Sequence, residues 1–226
     1  MSPPDLLDAP RDRLRAGIRR GVPFGVAVFA ISFSFGVVAR PVMGPVAPIV
    51  MSIAVFSGAA QFGALAVLTA GGTTAAAIAA GILLNGRYAA MGIALAPSLR
   101  GRAISRAAFA VTMVDSSWAA ASRRDGTFDP WYMVGVSVPQ YVGWVTGTIL
   151  GVLVGPRLGS PSGLGLDALF PAFFLALLFE EARGYKRMAA GAGGAGIALL
   201  LTPIVPAGLP ILAASAAAAV ASRFKR

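Results

Sequence analysis

Two residue types are missing altogether: the 226-residue chain has no cysteine and no histidine. Disulfides, zinc sites of the usual kind and Cys or His nucleophiles are thereby excluded. A histidine proton relay is excluded too, so any proton handling falls to carboxylates. Charge is scarce, with 12% charged residues and only nine acidic ones. A soluble domain carries about 25% charge and about 45–50% apolar residues. Here 57% of residues are hydrophobic and the mean hydropathy is +0.76. That leaves too little polar surface for a soluble globule. A cytosolic enzyme, a disordered chain and a secreted scaffold are all poor fits. The reading is an all-α polytopic transmembrane helical bundle.

What charge there is has one dominant sign. The formal net charge is +10, from 19 Lys+Arg against nine Asp+Glu. In a soluble protein that balance suggests nucleic acid. Here the basic residues lie between apolar runs and not in a patch with interleaved aromatics. Membrane lipid headgroups and topology account for them better, so nucleic acid is not an expected partner. No Gly-rich phosphate loop with a lysine is present, so the chain is no ATP-driven pump by itself. No catalytic residue, metal or cofactor is expected, and the chain is not read as an enzyme.

A bilayer span needs about 20 mainly apolar residues. Such runs fall near 21–39, 45–70, 73–97, 106–122, 131–155, 166–180, 188–204 and 207–222. That makes about eight spans, with seven as the alternative. Residues 1–20, with Arg11, Arg13, Arg15, Arg19 and Arg20, form a basic cytoplasmic tail. Residues 21–222 are expected to form one transmembrane domain, and 223–226 a cytoplasmic C-terminal tail. Eight spans place most basic residues inside, but the 98–106 loop, with Arg100, Arg102 and Arg106, then lies outside and violates the rule. A re-entrant segment within 45–70 moves that loop inside but puts Arg183, Lys186 and Arg187 outside, so eight spans are preferred. A weak internal echo links 35–56 with 147–174.

Ionisable residues at membrane depth are expensive and become functional candidates. Arg87 lies in the third expected span and Asp115 in the fourth. Each sits about 14–16 Å from the same face at 1.5 Å per residue. Antiparallel neighbours bring them to one depth, as a register-fixing ion pair or as a binding pair. Ser57-Gly58-Ala59-Ala60-Gln61 loosens the second span in its middle, either to line a cavity or to bond locally. Gly143, Gly147, Gly151 and Gly155 recur every four residues in the fifth span and predict close helix packing. Their partner, a helix of this chain or a second subunit, stays open. Glu180 and Glu181 end the sixth span beside Arg183, Asp167 is a helix-start residue, and Gly191–Gly196 reads as packing. Trp118, Trp131 and Trp144 are in part interfacial belt residues.

The succession Gly21-Val22-Pro23-Phe24-Gly25, Phe56-Ser57-Gly58-Ala59-Ala60-Gln61-Phe62, Leu84-Asn85-Gly86-Arg87-Tyr88, Met113-Val114-Asp115 and Pro130-Trp131-Tyr132 resembles the AzlC-type large subunit of branched-chain amino acid permeases. The resemblance covers roughly residues 15–220. It implies a secondary transporter subunit exporting branched-chain or related hydrophobic amino acids, with a small AzlD-type membrane subunit as partner. By motif match, Ser57, Gly58 and Gln61 fall on the family's second-span motif, Asn85 and Arg87 on its third-span motif, and Asp115 on the fourth. The family often has Glu after that aspartate. Ser116 stands there instead, which removes one proton carrier.

The binding reading that follows gives a small zwitterionic amino acid as substrate. Arg87 and Asn85 take its carboxylate, and Asp115 faces its ammonium or takes a proton. Gln61 and the Ser57-Gly58 backbone orient it. Two rivals share the fold argument: a facilitator or channel for another small solute, and a non-transporting scaffold subunit.

Overall fold

The computed structural model describes residues 9–123, 125–158, 175, 185–201 and 203–204. Among these the regular structure is helical, with one isolated bridge between Ser122 and Phe128. The helices are α1 (Pro10–Met43), α2 (Ala47–Ala54), α3 (Gly58–Thr69), α4 (Thr74–Leu84), α5 (Gly86–Leu95), α6 (Ala103–Val111), α7 (Asp115–Ala121), α8 (Pro130–Val154) and α9 (Tyr185–Leu201). The expected spans at 166–180 and 207–222 lie outside the described residues, as do Asp167, Glu180, Glu181, Arg183 and the 223–226 tail. So does most of the second half of the proposed 147–174 echo.

Helix α1 opens at Pro10, inside the stretch expected to be a tail, with Pro in its first turn, where a missing N–H does no harm. It carries Gly17, Gly21 and Gly25 at a spacing of four. These meet the glycines of α8. A Cβ built on Gly17 would stand 2.9 Å from the Gly135 Cα, and one on Gly25 would stand 2.7 Å from the Pro139 carbonyl oxygen. Gly143 abuts Gly25, Gly147 abuts Phe29 and Ser32, Gly151 abuts Phe33 and Gly36, and Gly155 lies against Val37. Residue numbers rise together along both helices, so α1 and α8 run parallel. The partner of the glycine stripe is therefore α1 of the same chain. Backbones come close only where side chains are absent. By contrast, a Cβ on Gly193 or Gly196 of α9 would meet nothing within 4 Å.

This pair gives the molecule two ends. At the first, Asp129 caps α8 by accepting the Tyr132 N–H at 3.1 Å. Its carboxylate also pairs with Arg123 at 2.9 Å and Arg13 at 3.6 Å. At the far end Arg40 donates to the Val152 carbonyl.

Two expected spans are corrected at this point. Residues 45–70 do not form one crossing helix. Helix α2 enters from the far end, breaks at 55–57, and α3 returns to the same end. Gln61 bonds back to Ser52 at 2.8 Å, Met51 packs against the cluster of Ala64 and Val67, and Phe62 meets Phe35 of α1 at 5.3 Å. Residues 106–122 behave alike from the first end. Helix α6 enters, breaks at 112–114, and α7 returns beside α5. The contacts Arg87–Asp115, Trp118 Nε1 to the Met91 carbonyl at 3.3 Å and, just beyond both helices, Phe128 N–H to Ser98 Oγ at 2.9 Å advance in the same sense along both segments. The two are therefore parallel.

Helices α4 and α5 together cross from the far end to the first. Among the described residues, three stretches are long and apolar enough to cross a membrane: Pro10–Met43, Thr74–Ser98 and Pro130–Arg157. The order is crossing helix, hairpin from the far end, crossing helix, hairpin from the first end, crossing helix. Residues 10–69 and 74–121 thus repeat one plan in opposite directions. The charge puzzle at 98–106 disappears as well. Arg100, Arg102 and Arg106 now join the N-terminal arginines and Arg123 at the first end, while Arg40 and Arg157 lie at the far end.

Candidate functional site

Each break has a local cause. At the first, Ser57 is extended (φ −152°, ψ 106°) and its hydroxyl caps α3, accepting the Ala60 N–H at 3.4 Å. Asn85 is a one-residue interruption (φ −81°, ψ −5°) between α4 and α5, where the next turn is closed by a Tyr88 N–H to Asn85 carbonyl bond of 2.9 Å. At the third, Thr112 turns its hydroxyl back to the Phe109 carbonyl at 2.8 Å, and Val114 is extended (φ −131°, ψ 162°). Ser117 Oγ then accepts the Val114 N–H at 3.0 Å.

All three breaks open on one cavity of about 510 Å³, within the usual range of about 300–1,000 Å³ for small-molecule sites. The first hairpin supplies Ile53 to Ser57, the kinked helix supplies Asn85 and Tyr88, and the second hairpin supplies Ala110 to Met113. Helix α8 closes it with Ser137, Val138, Tyr141 and Val142. The walls are mainly apolar, with hydroxyls and an amide at a few points.

Among the expected site residues, Ser57 and Asn85 line this cavity, and Ser57 Oγ donates to Asn85 Oδ1 at 2.6 Å. Gly58 follows directly as the first residue of α3. Arg87 and Asp115 are brought together, Nη2 to Oδ2 at 2.9 Å. Neither lines the cavity. Tyr88 stands between them and it, with the Arg87 guanidinium carbon 5.2 Å from its ring centre and its hydroxyl 3.4 Å from Asp115 Oδ2. The ion pair is partly open, at 37% and 50% side-chain exposure.

Gln61 lies elsewhere. It is fully buried, donates to Ser52 Oγ at 2.8 Å and accepts the Trp144 Nε1 hydrogen at 2.6 Å. Ser52 in turn shares a 2.8 Å bond with Thr148. This network ties the first hairpin to α8. A second, smaller tie joins Ser116 Oγ to Gln140 Oε1 at 2.7 Å and holds the other hairpin to the same helix. Trp144 is thus an interior donor and no belt residue, whereas Trp131 is 41% exposed and stacks edge-on with Phe109.

Sequence reasoning missed Tyr88, Tyr141, Thr112, Ser52 and Thr148. Tyr141 carries much of the geometry. Its hydroxyl donates to the Ile53 carbonyl at 3.0 Å and its ring meets Phe56 edge-on at 5.2 Å. A tyrosine two residues before Gly143, the first glycine of the stripe, was the available signal. Outside the apolar helices, the Thr127 hydroxyl and N–H hold the Asp125 carboxylate below its ordinary range.

The fold and cavity define an all-α membrane protein whose helices break at mid-depth around an apolar chamber. The family model described as "AzlC protein" matches residues 23–158, and the chain belongs to that family. It is 28% identical over 207 residues to "Inner membrane protein YgaZ" of Escherichia coli (strain K12), covering 83% of this chain and 82% of that protein. It is 30% identical over 184 residues to an "Uncharacterized membrane protein" of Archaeoglobus fulgidus, covering 80% and 81%. It is also 24% identical over 197 residues to "Branched-chain amino acid transport protein AzlC" of Bacillus subtilis (strain 168), covering 84% and 77%. No solved structure matches. Family and relatives together support a transport role.

Proposed function

We propose that the chain is the carrier subunit of a secondary transporter that exports branched-chain or related hydrophobic amino acids across a bacterial inner membrane. One observation carries this reading: three helix breaks, on two opposed hairpins and one kinked crossing helix, meet at a single amino-acid-sized cavity. Broken helices at the midplane between inverted units are how many carriers build a substrate site. The apolar wall of Val138, Val142 and Ile53 suits an aliphatic side chain. One methylene is worth only about 1–3 kcal/mol in such a wall, so Leu, Ile and Val are expected to share the site.

Ser57 and Asn85 meet the substrate carboxylate in the cavity. Arg87 attracts it by exchanging Asp115 for it, and Tyr88 links that pair to the chamber. The released Asp115 takes a proton, which couples export to the proton gradient. Gln61 acts by holding the first hairpin on α8 and does not touch substrate. The basic first end faces the cytoplasm, and a small AzlD-type membrane subunit completes the transporter. The scaffold alternative loses its main support, because the glycine stripe is occupied by α1.

The test is leucine and valine efflux from loaded cells carrying Arg87→Ala or Asp115→Asn at wild-type protein levels. Both variants are expected to lose most efflux. Undiminished efflux in both ends the assignment. Efflux that is intact but indifferent to a proton gradient in liposomes favours the facilitator.

A further inference from the structure

The breaks leave backbone acceptors unused. The last four carbonyls of any helix lack an intrahelical partner. In α2 the final bond runs from the Val55 N–H to the Met51 carbonyl at 2.8 Å, and Tyr141 covers the Ile53 carbonyl. In α6 the final bonds run from the Thr112 and Met113 N–H groups to Phe109 and Ala110, at 3.2 and 3.1 Å. Among the described residues no donor reaches the carbonyls of Ala54, Val55, Val111 or Thr112. All four residues line the same cavity. Carbonyls at membrane depth are tolerated without protein partners only where they line a chamber that supplies one.

The sign of the field is set as well. A helix C-terminus carries roughly half a negative charge, and α2 and α6, entering from opposite ends, both terminate at this cavity. Among the described residues no lysine or arginine lines it, and the nearby Arg87 is engaged by Asp115. The opposite polarity lies at Ser57, where α3 begins. The cavity therefore meets the carbonyl ends of α2 and α6, with the start of α3 following α2 across the 55–57 break.

We infer that the carbonyl ends of α2 and α6 form a subsite for a small monovalent cation, and that its occupant is the ammonium group of the transported amino acid. This rests on the amino acid carrier reading above. An ammonium group offers three donors and no acceptor, which suits several carbonyls and no carboxylate. The subsite also fixes how the substrate lies, with the ammonium on the carbonyl ends of α2 and α6 and the carboxylate toward the Asn85 amide. Asp115 is then not needed for the ammonium and stays available for the proton.

The experiment uses the purified full chain in detergent, with labelled leucine displaced by isoamylamine, which lacks the carboxylate, or isocaproate, which lacks the ammonium. Each titration runs in choline and in sodium buffer. Thr112→Lys plants an ammonium near the carbonyl ends, and Thr112→Met adds similar bulk without charge. Isoamylamine is expected to displace leucine. Thr112→Lys is expected to weaken isoamylamine at least about tenfold more than Thr112→Met does, equivalent to about 1.4 kcal/mol, with both variants eluting as monodisperse protein. Displacement by isocaproate alone overturns the inference, as does equal isoamylamine affinity in the two variants. Sodium that displaces isoamylamine overturns the assignment of the occupant, making it a free alkali ion. Should leucine not bind while isoamylamine still raises the melting temperature of wild type but not of Thr112→Lys, the subsite stands and the amino acid reading falls.

Discussion

Gly25→Ala tests the close packing of α1 against α8. The added methyl would sit 2.7 Å from the Pro139 carbonyl oxygen, 3.0 Å from its carbonyl carbon and 3.2 Å from its Cβ. All three atoms belong to a helix and to its proline ring, so none swings aside as a flexible side chain would. The two helices must move apart, and every neighbouring glycine contact loosens with them. Overpacking of this kind costs about 1–3 kcal/mol, offset by about 1 kcal/mol of gained helix propensity. A net loss of up to about 2 kcal/mol lowers the melting temperature by up to about 8 °C in a chain of this length. Gly81→Ala is the matched control. Its methyl would meet Ala60 at 3.6–3.7 Å, ordinary contact distance, so only the propensity gain of up to about 1 kcal/mol remains. Thermal unfolding of the detergent-solubilised protein, followed by loss of the monodisperse elution peak, reads both. If Gly25→Ala melts at or above wild type, in step with Gly81→Ala, the close parallel pairing of α1 and α8 is refuted.

The absence of native cysteine makes single-cysteine topology mapping direct. Arg102→Cys should react with a membrane-impermeant maleimide from the same side as Arg11→Cys, and Val46→Cys from the opposite side; reaction of Arg102→Cys with the sidedness of Val46→Cys would refute the first hairpin. Gln61→Ala strands the Trp144 indole and the Ser52–Thr148 pair in a buried setting, so a loss of about 2–4 kcal/mol is expected, visible as a melting shift larger than that of Gly25→Ala. Arg87→Ala should lower stability by no more than about 1 kcal/mol, because a partly exposed ion pair contributes little; a normal melting curve beside abolished efflux is the expected signature. Asp129→Ala removes the α8 cap and the shared partner of Arg13 and Arg123, and should destabilise by about 1 kcal/mol or more.

Composition made the membrane character and the helical class legible. The depth of Arg87 and Asp115 was also within reach of counting, because a short loop separates them and rise per residue is constant. The hairpins were not. A hydropathy window integrates apolar length and has no sense of direction, so α6 and α7 add up to one span although they reverse. The trace they left was electrostatic: Arg100, Arg102 and Arg106 fell on the wrong side of an eight-span scheme. Gln61 was misplaced for a related reason. A polar residue in an apolar stretch signals a bond, but whether to substrate or to Trp144 depends on which face of α8 lies opposite. The glycine stripe of α8 was plain, whereas its counterpart Gly17-Gly21-Gly25 straddled the boundary drawn between a solvated tail and the first span. Tyr141 and Thr112 became site residues only once three distant segments converged.

The two hairpins enter from opposite ends, each following its own crossing helix. A carrier assembled this way presents much the same machinery to either compartment, as a revolving door does to either room. Nothing in such a plan favours outward over inward passage. On the proposed carrier reading, the direction of net flow then belongs to the gradients across the membrane, and reversing those gradients in liposomes should reverse the net flux of leucine.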